Sequence, residues 1–351
     1  MSTRPLFLIG RRLRALERPG LGRPVLLLRP LLVTMNSADL NPISPFLEYQ
    51  GVLVLDGGLA TALEARGCDL RDNLWSAKVL LEDPDLIRQV HLDFLRGGAD
   101  CIATASYQAT LEGFQKRGLD REASRALLLL SLSLAVEARA IFWEDPANRV
   151  GRLRPLVAAS IGPFGAFLAD GSEYSGRYGI SDQDLYDFHQ ERWQILGDGE
   201  ADLMACETIP SLRETEVLVR LVAESPGTWA WISFSCGDGE HLWDGSLLRE
   251  AARVCDAEAR VAAVGINCTG PELIPSLMEE VRKGTSKPIL AYPNSGESYD
   301  AEDKEWGSTP SPIALEEAAQ QWVREGAAGV GGCCRVGPDT IRKMRQRVVQ
   351  L

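Results

Sequence analysis

Histidine is nearly absent: the sequence has three in 351 residues. A metal site built on imidazoles, or a reaction that relays protons through several of them, has little to draw on. His91, His189 and His241 fall in expected helices or loops rather than at strand ends, and read as surface or packing residues. Basic residues are also short, with 37 Lys and Arg against 49 Asp and Glu and a net charge of -12. A nucleic-acid surface needs clustered Lys and Arg to neutralise phosphates, so that class of partner is excluded. No uninterrupted apolar run approaches the roughly 18 residues of a membrane span. The longest, Ala126 to Val136, is broken by serines and reads as a buried helix, so no membrane is expected as a partner. A glycine-rich dinucleotide loop is missing too, because Gly57-Gly58 lacks the spacing of that fingerprint.

What remains is the composition of an ordinary globular chain, 45% hydrophobic and 25% charged. The charge is unevenly spread. Residues 1–47 hold seven Arg and two acids, so the acidity belongs to residues 48–351. An acidic body suits a cationic ligand, although solubility explains it as well. The Arg-rich segment contains VLLLRPLLV, but Arg and Pro interrupt it and no small-residue cleavage site follows, so no secretory signal is expected. Three readings of residues 1–47 stand: a start placed upstream of a true start at Met35, an organelle transit segment, or an ordered extension. A cytoplasmic protein is expected, with organelle targeting by residues 1–34 as the second reading. The eight cysteines are then reduced thiols rather than a disulfide framework.

From Gly51 onward short apolar runs alternate with longer helical patterns. The runs are Val52–Asp56, Cys101–Tyr107, Leu156–Ile161, Leu203–Glu207, Trp229–Cys236, Val261–Cys268, Pro288–Tyr292 and Ala327–Cys333. Apolar on both faces, they read as strands of a parallel sheet. Between and after them lie Pro84–Gly97, Arg121–Trp143, Asp182–Leu196, Ser211–Ala223, Ser246–Ala257, Pro271–Arg282, Ser311–Arg324 and Pro338–Val349. In the first of these Leu86, Ile87, Val90, Phe94 and Leu95 make one helical stripe. Strict alternation of this kind predicts an α/β fold, a single (β/α)8 TIM-type barrel over residues 48–351. Two long loops, Gly162–Ser181 and Tyr292–Pro312, follow strands on the side where barrel active sites are built.

Four strands end in residues with chemistry. They are Asp56-Gly57-Gly58, Cys206-Glu207-Thr208, Asn267-Cys268-Thr269 and Gly331-Gly332-Cys333-Cys334-Arg335. In a barrel these ends converge on one mouth, and only one strand separates the third from the fourth. Cys268 can therefore meet Cys333 and Cys334 although they are distant in sequence. Adjacent cysteines seldom bond to each other, but both can bind one metal if the backbone bends, which Gly331-Gly332 permits. Zinc favours tetrahedral thiolates, and three of them leave one position open. An incoming thiol would lose its proton there and become a nucleophile at neutral pH. Cys68, Cys101, Cys206 and Cys255 read as small buried side chains, and so, less firmly, does Cys236.

The strings VLDGGLATALEARG, TASYQAT, CETIPS, GINCTG and GGCCR occur in this order between about Val52 and Arg335. They resemble the homocysteine S-methyltransferase family, most closely the subgroup that uses S-methylmethionine or S-adenosylmethionine. The resemblance implies a barrel with one Zn(2+) per chain that methylates L-homocysteine to L-methionine. The family's zinc-binding cysteines fall on Cys268, Cys333 and Cys334. Its strand-one motif falls on Asp56, Gly57 and Gly58, whose carboxylate and loop amides would hold the amino-acid end of homocysteine. Its strand-four glutamate falls on Glu207, for the same ammonium. Thr104, Ser106 and Tyr107 match a TNTYQ run, with Ala105 where Asn is usual, so Thr104 and Tyr107 are expected at the substrate. Trp75, in DNLWSA, matches a tryptophan near the donor cation in betaine-using relatives, and an aromatic face suits a sulfonium; core packing is the competing reading. Asn294, in YPNSG, is expected at the donor pocket or in a turn. Two other functions stay open: a betaine-homocysteine methyltransferase, and a zinc-binding or redox-sensing barrel without turnover.

Overall fold

The computed structural model describes residues 40–70, 75–297, 299–300, 305–307 and 311–349. Eight short strands form one parallel sheet: β1 (Leu53–Val54), β2 (Cys101–Ala103), β3 (Leu156–Ile161), β4 (Leu203–Ile209), β5 (Ala230–Phe234), β6 (Val261–Asn267), β7 (Ile289–Tyr292) and β8 (Gly329–Val330). Each pairs with its neighbour in chain order, and β8 lies between β7 and β1. The ring closes through a parallel bridge between Leu55 and Cys101, where the Asp56 amide donates to the Cys101 carbonyl at 3.1 Å. This is the expected (β/α)8 barrel.

The strands are apolar on both faces because both faces are covered. Every residue of β3 and β6 is buried. Along β3, Val157, Ala159 and Ile161 join the layer beneath the helices, while Leu156 and Ala158 join the barrel interior. That is the two-residue period of a strand. The interior is filled by side chains such as Leu53, Leu55, Trp231, Ala263 and Leu290. At its amino-terminal end it is completed by Ile43 and Phe46, beside and within the helix Ser44–Gln50. Asn41 Nδ2 donates to the Ala262 carbonyl at 2.9 Å in the same region. The buried body therefore reaches upstream of residue 48.

The helix Arg121–Glu144 is by length and composition able to cross a membrane, a property that counting uninterrupted apolar residues does not catch. In the fold it packs against the helices Pro84–Gly97 and Asp182–Gly197 and against β3. It buries Leu128, Leu132, Ala135 and Ala138, and Arg139 forms an ion pair with Asp202.

Several elements are shorter than their pattern, β8 among them, which spans Gly329–Val330 of the expected Ala327–Cys333. The run Cys101–Tyr107 leaves the sheet after Ala103, because side chains take over from the ladder. Thr104 Oγ1 accepts from the Ser160 amide at 3.0 Å and pairs with Ser106 Oγ at 2.6 Å. Ser106 in turn donates to the Ser160 carbonyl at 2.7 Å. The helix expected from Ser311 begins at Leu315.

Candidate metal centre and substrate site

Cys268 directly follows β6, and Cys333-Cys334 lie shortly after β8. Their three sulfurs lie within 4.8 Å of one another, with Cys268 and Cys334 Sγ 3.8 Å apart. Zinc–sulfur bonds of about 2.3 Å at tetrahedral angles put sulfurs about 3.8 Å apart, so the triangle fits a tetrahedral ion with one corner left for another ligand. Glycines make this approach possible. A Cβ on Gly57 would lie 2.3 Å from the Val336 carbonyl oxygen, and one on Gly58 2.8 Å from that of Cys333. Thr208 near the end of β4, Cys268 just after β6 and Arg335 in the loop that follows β8 all take left-handed backbone conformations. Each costs roughly 1–2 kcal/mol for a residue with a side chain, and local bonds hold the shape. Asn267 clamps Thr208 by accepting from its amide through Oδ1 and donating to its hydroxyl through Nδ2, both at 2.8 Å.

The thiols share their protons unequally. Hydrogen bonds from Cys333 and Cys334 pull Cys268 well below the usual thiol range, and the same bonds, with burial and then the Cys268 charge, push the other two well above it. The Tyr174 hydroxyl lies 3.9 Å from Cys268 Sγ, and Asn267 Nδ2 lies 3.9 Å from Cys333 Sγ. Both point donor groups at sulfur and favour its charged form.

Acids surround this triangle. Asp56 Oδ2 accepts from the Ala103 amide at 2.8 Å. Its pKa is nevertheless raised well above the carboxylate range, first by burial, with Glu207 adding repulsion. Glu207 Oε1 accepts from the Ser160 hydroxyl, and Oε2 from the Tyr292 hydroxyl at 3.4 Å. Burial pushes its pKa up to about 7. Glu173 is a third acid: its charge reaches both Cys268 and Tyr107, and its Oε2 is buried with no hydrogen-bond partner among the described residues. Two buried carboxylates that repel each other, and a third with an orphaned oxygen, make a place for a cation.

A sequence profile described as homocysteine S-methyltransferase matches residues 53–348. The chain belongs to the homocysteine S-methyltransferase family. A homocysteine S-methyltransferase of Bacillus subtilis is 51% identical over 305 residues, covering 87% of this chain and 97% of that protein. A selenocysteine Se-methyltransferase of Brassica oleracea is 47% identical, covering 86% of this chain and 90% of that one. Among solved structures, the metallated form of the homocysteine methyltransferase MmuM from Escherichia coli superposes with a TM-score of 0.78. It is 45% identical and covers 88% of this chain and 100% of its own.

Other residues that the family motif singles out take varied positions. Asp56 and Glu207 are at the mouth beside the thiols, as expected. Gly58 is there too, but its amide already donates to the Val336 carbonyl at 2.8 Å and is not available to a substrate carboxylate. Thr104 is buried, and its hydroxyl is engaged with Ser106 and Ser160, so it supports the serine that holds Glu207. Tyr107 is half-buried, hydrogen-bonded to Thr208, and near Cys268. Asn294 Oδ1 accepts from the Gly296 amide at 2.9 Å, which is the turn reading. Trp75 opens a short 3-10 turn ending at Lys78; its side chain lies outside the described residues. In the sequence Asn267 stands out only as a strand-end neighbour of Cys268, and Ser160, Glu173, Tyr174 and Tyr292 have no expected role at this site. The long loop Gly162–Ser181 was the available signal for Glu173 and Tyr174.

The loop that delivers Glu173 and Tyr174 is tied down by buried charge. Glu214 is fully buried; its Oε1 accepts from the Phe164 amide and from His189 Nε2, each at 2.7 Å, and its Oε2 from the Tyr178 hydroxyl at 2.8 Å. Arg192 donates to His189 Nδ1 at 2.8 Å and also to the Gly162 carbonyl. Those partners fix His189 as the neutral Nε2–H tautomer. Burial and the Arg192 charge lower its pKa to about 4, and burial does the same to His91. His241 remains at the surface beside Asp238. A histidine that titrates near 6.5 when unfolded and near 4 when folded stabilises the fold above pH 6.5 and loses that contribution as pH falls from 6.5 to 4. Each such group contributes up to roughly 3 kcal/mol. These two histidines therefore add a fall in the urea midpoint between pH 6.5 and 4, superposed on the opposite trend from Glu207, whose pKa burial raises to about 7. His91→Leu should flatten part of that fall; an unchanged slope would show that His91 is not buried neutral.

Proposed function

We propose that this chain transfers a methyl group from a sulfonium donor to the thiol of L-homocysteine, forming L-methionine, with one Zn(2+) held by Cys268, Cys333 and Cys334. S-methylmethionine is the first donor and S-adenosylmethionine the second. The observation that carries the reading is the triangle of three thiols spaced for a tetrahedral ion and flanked by buried carboxylates. Family membership and the similarity to homocysteine S-methyltransferases along nearly the whole barrel support it. When bound, zinc supplies the positive charge that keeps an acceptor thiol deprotonated at neutral pH.

The protein's own residues supply alignment. Asp56, Glu207 and Glu173 receive the ammonium of homocysteine, and the cation in turn restores their ionised forms. Tyr292 and Ser160 hold the Glu207 carboxylate in place. The acceptor sulfur attacks the methyl carbon, the bond from that carbon to the sulfonium breaks, and its electrons neutralise the donor sulfur. The departing thioether is uncharged, so no proton donor is required, which agrees with a mouth that contains no histidine. Holding both reactants in line is the main contribution to rate.

The test is a donor panel with homocysteine: S-methylmethionine, S-adenosylmethionine and betaine, each with and without a zinc chelator. Methionine is expected from the sulfonium donors, fastest from S-methylmethionine, and not from betaine. Chelation should stop the reaction and added zinc should restore it. Zinc-loaded protein that makes no methionine from any donor would refute the transfer reading and favour a sensor. Preference for betaine would move the donor assignment to the runner-up.

A further inference from the structure

Immediately after the cysteine pair, an arginine occupies a backbone conformation that suits glycine. Arg335 has φ +67°, a value glycine takes without penalty. Neighbouring bonds hold the residue there. Its amide donates to Thr61 Oγ1 at 2.8 Å, and its Nε donates to Glu297 Oε2 at 3.0 Å. Glu297 is nearly buried and also accepts from the Ser295 hydroxyl at 2.6 Å. A strained position kept by surrounding contacts marks a side chain that is wanted where it points.

These residues, with Glu64 and Ala65, line an open pocket of about 500 Å³. The pocket adjoins the thiol triangle, since Arg335 is bonded to Cys334 and the Ser295 amide donates to the Cys334 carbonyl at 3.2 Å. Its charge is arranged in a particular way. Glu297 is committed to Arg335 and Ser295, while Glu64 lies on the exposed wall within the field of the guanidinium. One cation and one exposed anion side by side form the complement of a zwitterion. A guanidinium grips a carboxylate through two parallel bonds, and a carboxylate accepts from an ammonium.

We propose that this rim pocket binds the amino-acid end of the sulfonium donor, its carboxylate on Arg335 and its ammonium on Glu64, with the methyl group directed at the thiols. The proposal rests on the sulfonium-donor reading above. It separates two amino-acid sites in one mouth: Asp56 and Glu207 serve the acceptor within, and Arg335 and Glu64 serve the donor at the rim. It also gives a reason for preferring S-methylmethionine to smaller sulfonium ions, because the pocket recognises the part of the donor that does not react.

Arg335→Gly is the informative variant, since glycine relieves the backbone and the protein should fold. With S-methylmethionine its KM is expected to rise roughly 10- to 100-fold, while the KM for homocysteine moves less than about twofold. With trimethylsulfonium, which carries neither charged group, parent and variant should have equal kcat/KM. Glu64→Gln should weaken S-methylmethionine in the same selective way. Equal losses with both donors, a raised KM for homocysteine, or no change with S-methylmethionine would overturn the site. Calorimetric titration of the zinc-loaded protein with S-methylmethionine keeps the two readings apart. Arg335-dependent binding without any methyl transfer would sink the reaction and leave the site standing, whereas transfer with binding independent of Arg335 would do the reverse.

Discussion

Cys268→Ala is expected to give a folded protein that retains no zinc and has lost at least roughly 1,000-fold of its methyl-transfer rate. The fold should survive because the change removes one sulfur from a buried side chain and leaves the left-handed backbone as it was. A truncation that small costs on the order of 1 kcal/mol. The metal should not survive, because two adjacent thiols cannot supply the third corner that Cys268 provides from β6. Removing Cys268 also deletes the hydrogen bonds that push Cys333 and Cys334 upward most in the metal-free centre, so without metal the remaining pair should move toward ordinary thiols. Metal content per chain and the initial rate with homocysteine and S-methylmethionine are the two measurements. A variant that keeps a full equivalent of zinc, or that turns over at the parent rate, would remove Cys268 from the centre.

Glu207→Gln is expected to impair function and stabilise the fold at once. The carboxylate is buried, and burial raises its pKa from 4.5 to about 7. Above pH 7 the folded protein holds a charge that the unfolded chain would hold more easily, so ionisation there costs stability. Glutamine removes that cost, keeps an oxygen to accept from the Ser160 hydroxyl, and turns its amide nitrogen, a donor, toward the Tyr292 hydroxyl oxygen. The metal-free variant should gain up to about 3 kcal/mol at pH 8 and progressively less as pH falls through 7 toward 4.5. The same change removes a negative charge proposed to face the homocysteine ammonium. Losing one charge-assisted bond at a buried position should raise the KM for homocysteine roughly 30- to 100-fold, with a smaller effect on the KM of the donor. Urea unfolding and steady-state kinetics on one preparation test both halves. A destabilised variant with unchanged KM would place Glu207 in the framework rather than at the acceptor.

The barrel and the thiol centre were legible in the sequence for a common reason. Strands buried on both faces leave continuous apolar runs, and a parallel barrel sends all their carboxyl ends to one side. Cys268, Cys333 and Cys334 could thus be brought together without knowing any side-chain direction. What escaped depended on bonds rather than positions. Ser160 and Tyr292 lie inside apolar runs and read as core, yet their hydroxyls hold Glu207. Gly58 stands where the motif puts it, but only the folded loop reveals that Val336 already uses its amide. Asn267 adjoins Cys268 in sequence, while its partner Thr208 comes from β4, a pairing that register alone creates. His189 looked like packing because nothing local announces Glu214 and Arg192 as its companions. The Arg-rich start obscured how early the folded body begins, since Ile43 and Phe46 follow it so closely.

Those two residues carry a consequence for traffic. With Ile43, Phe46 and the inner strand residues packed into the barrel interior, the end away from the cysteines is filled among the described residues. In the proposed reaction both reactants would then approach from the side of the cysteines. An acceptor seated as proposed against Asp56 and Glu207 would lie behind a donor held at the rim, and binding would then be ordered: acceptor first in, and methylated product last out.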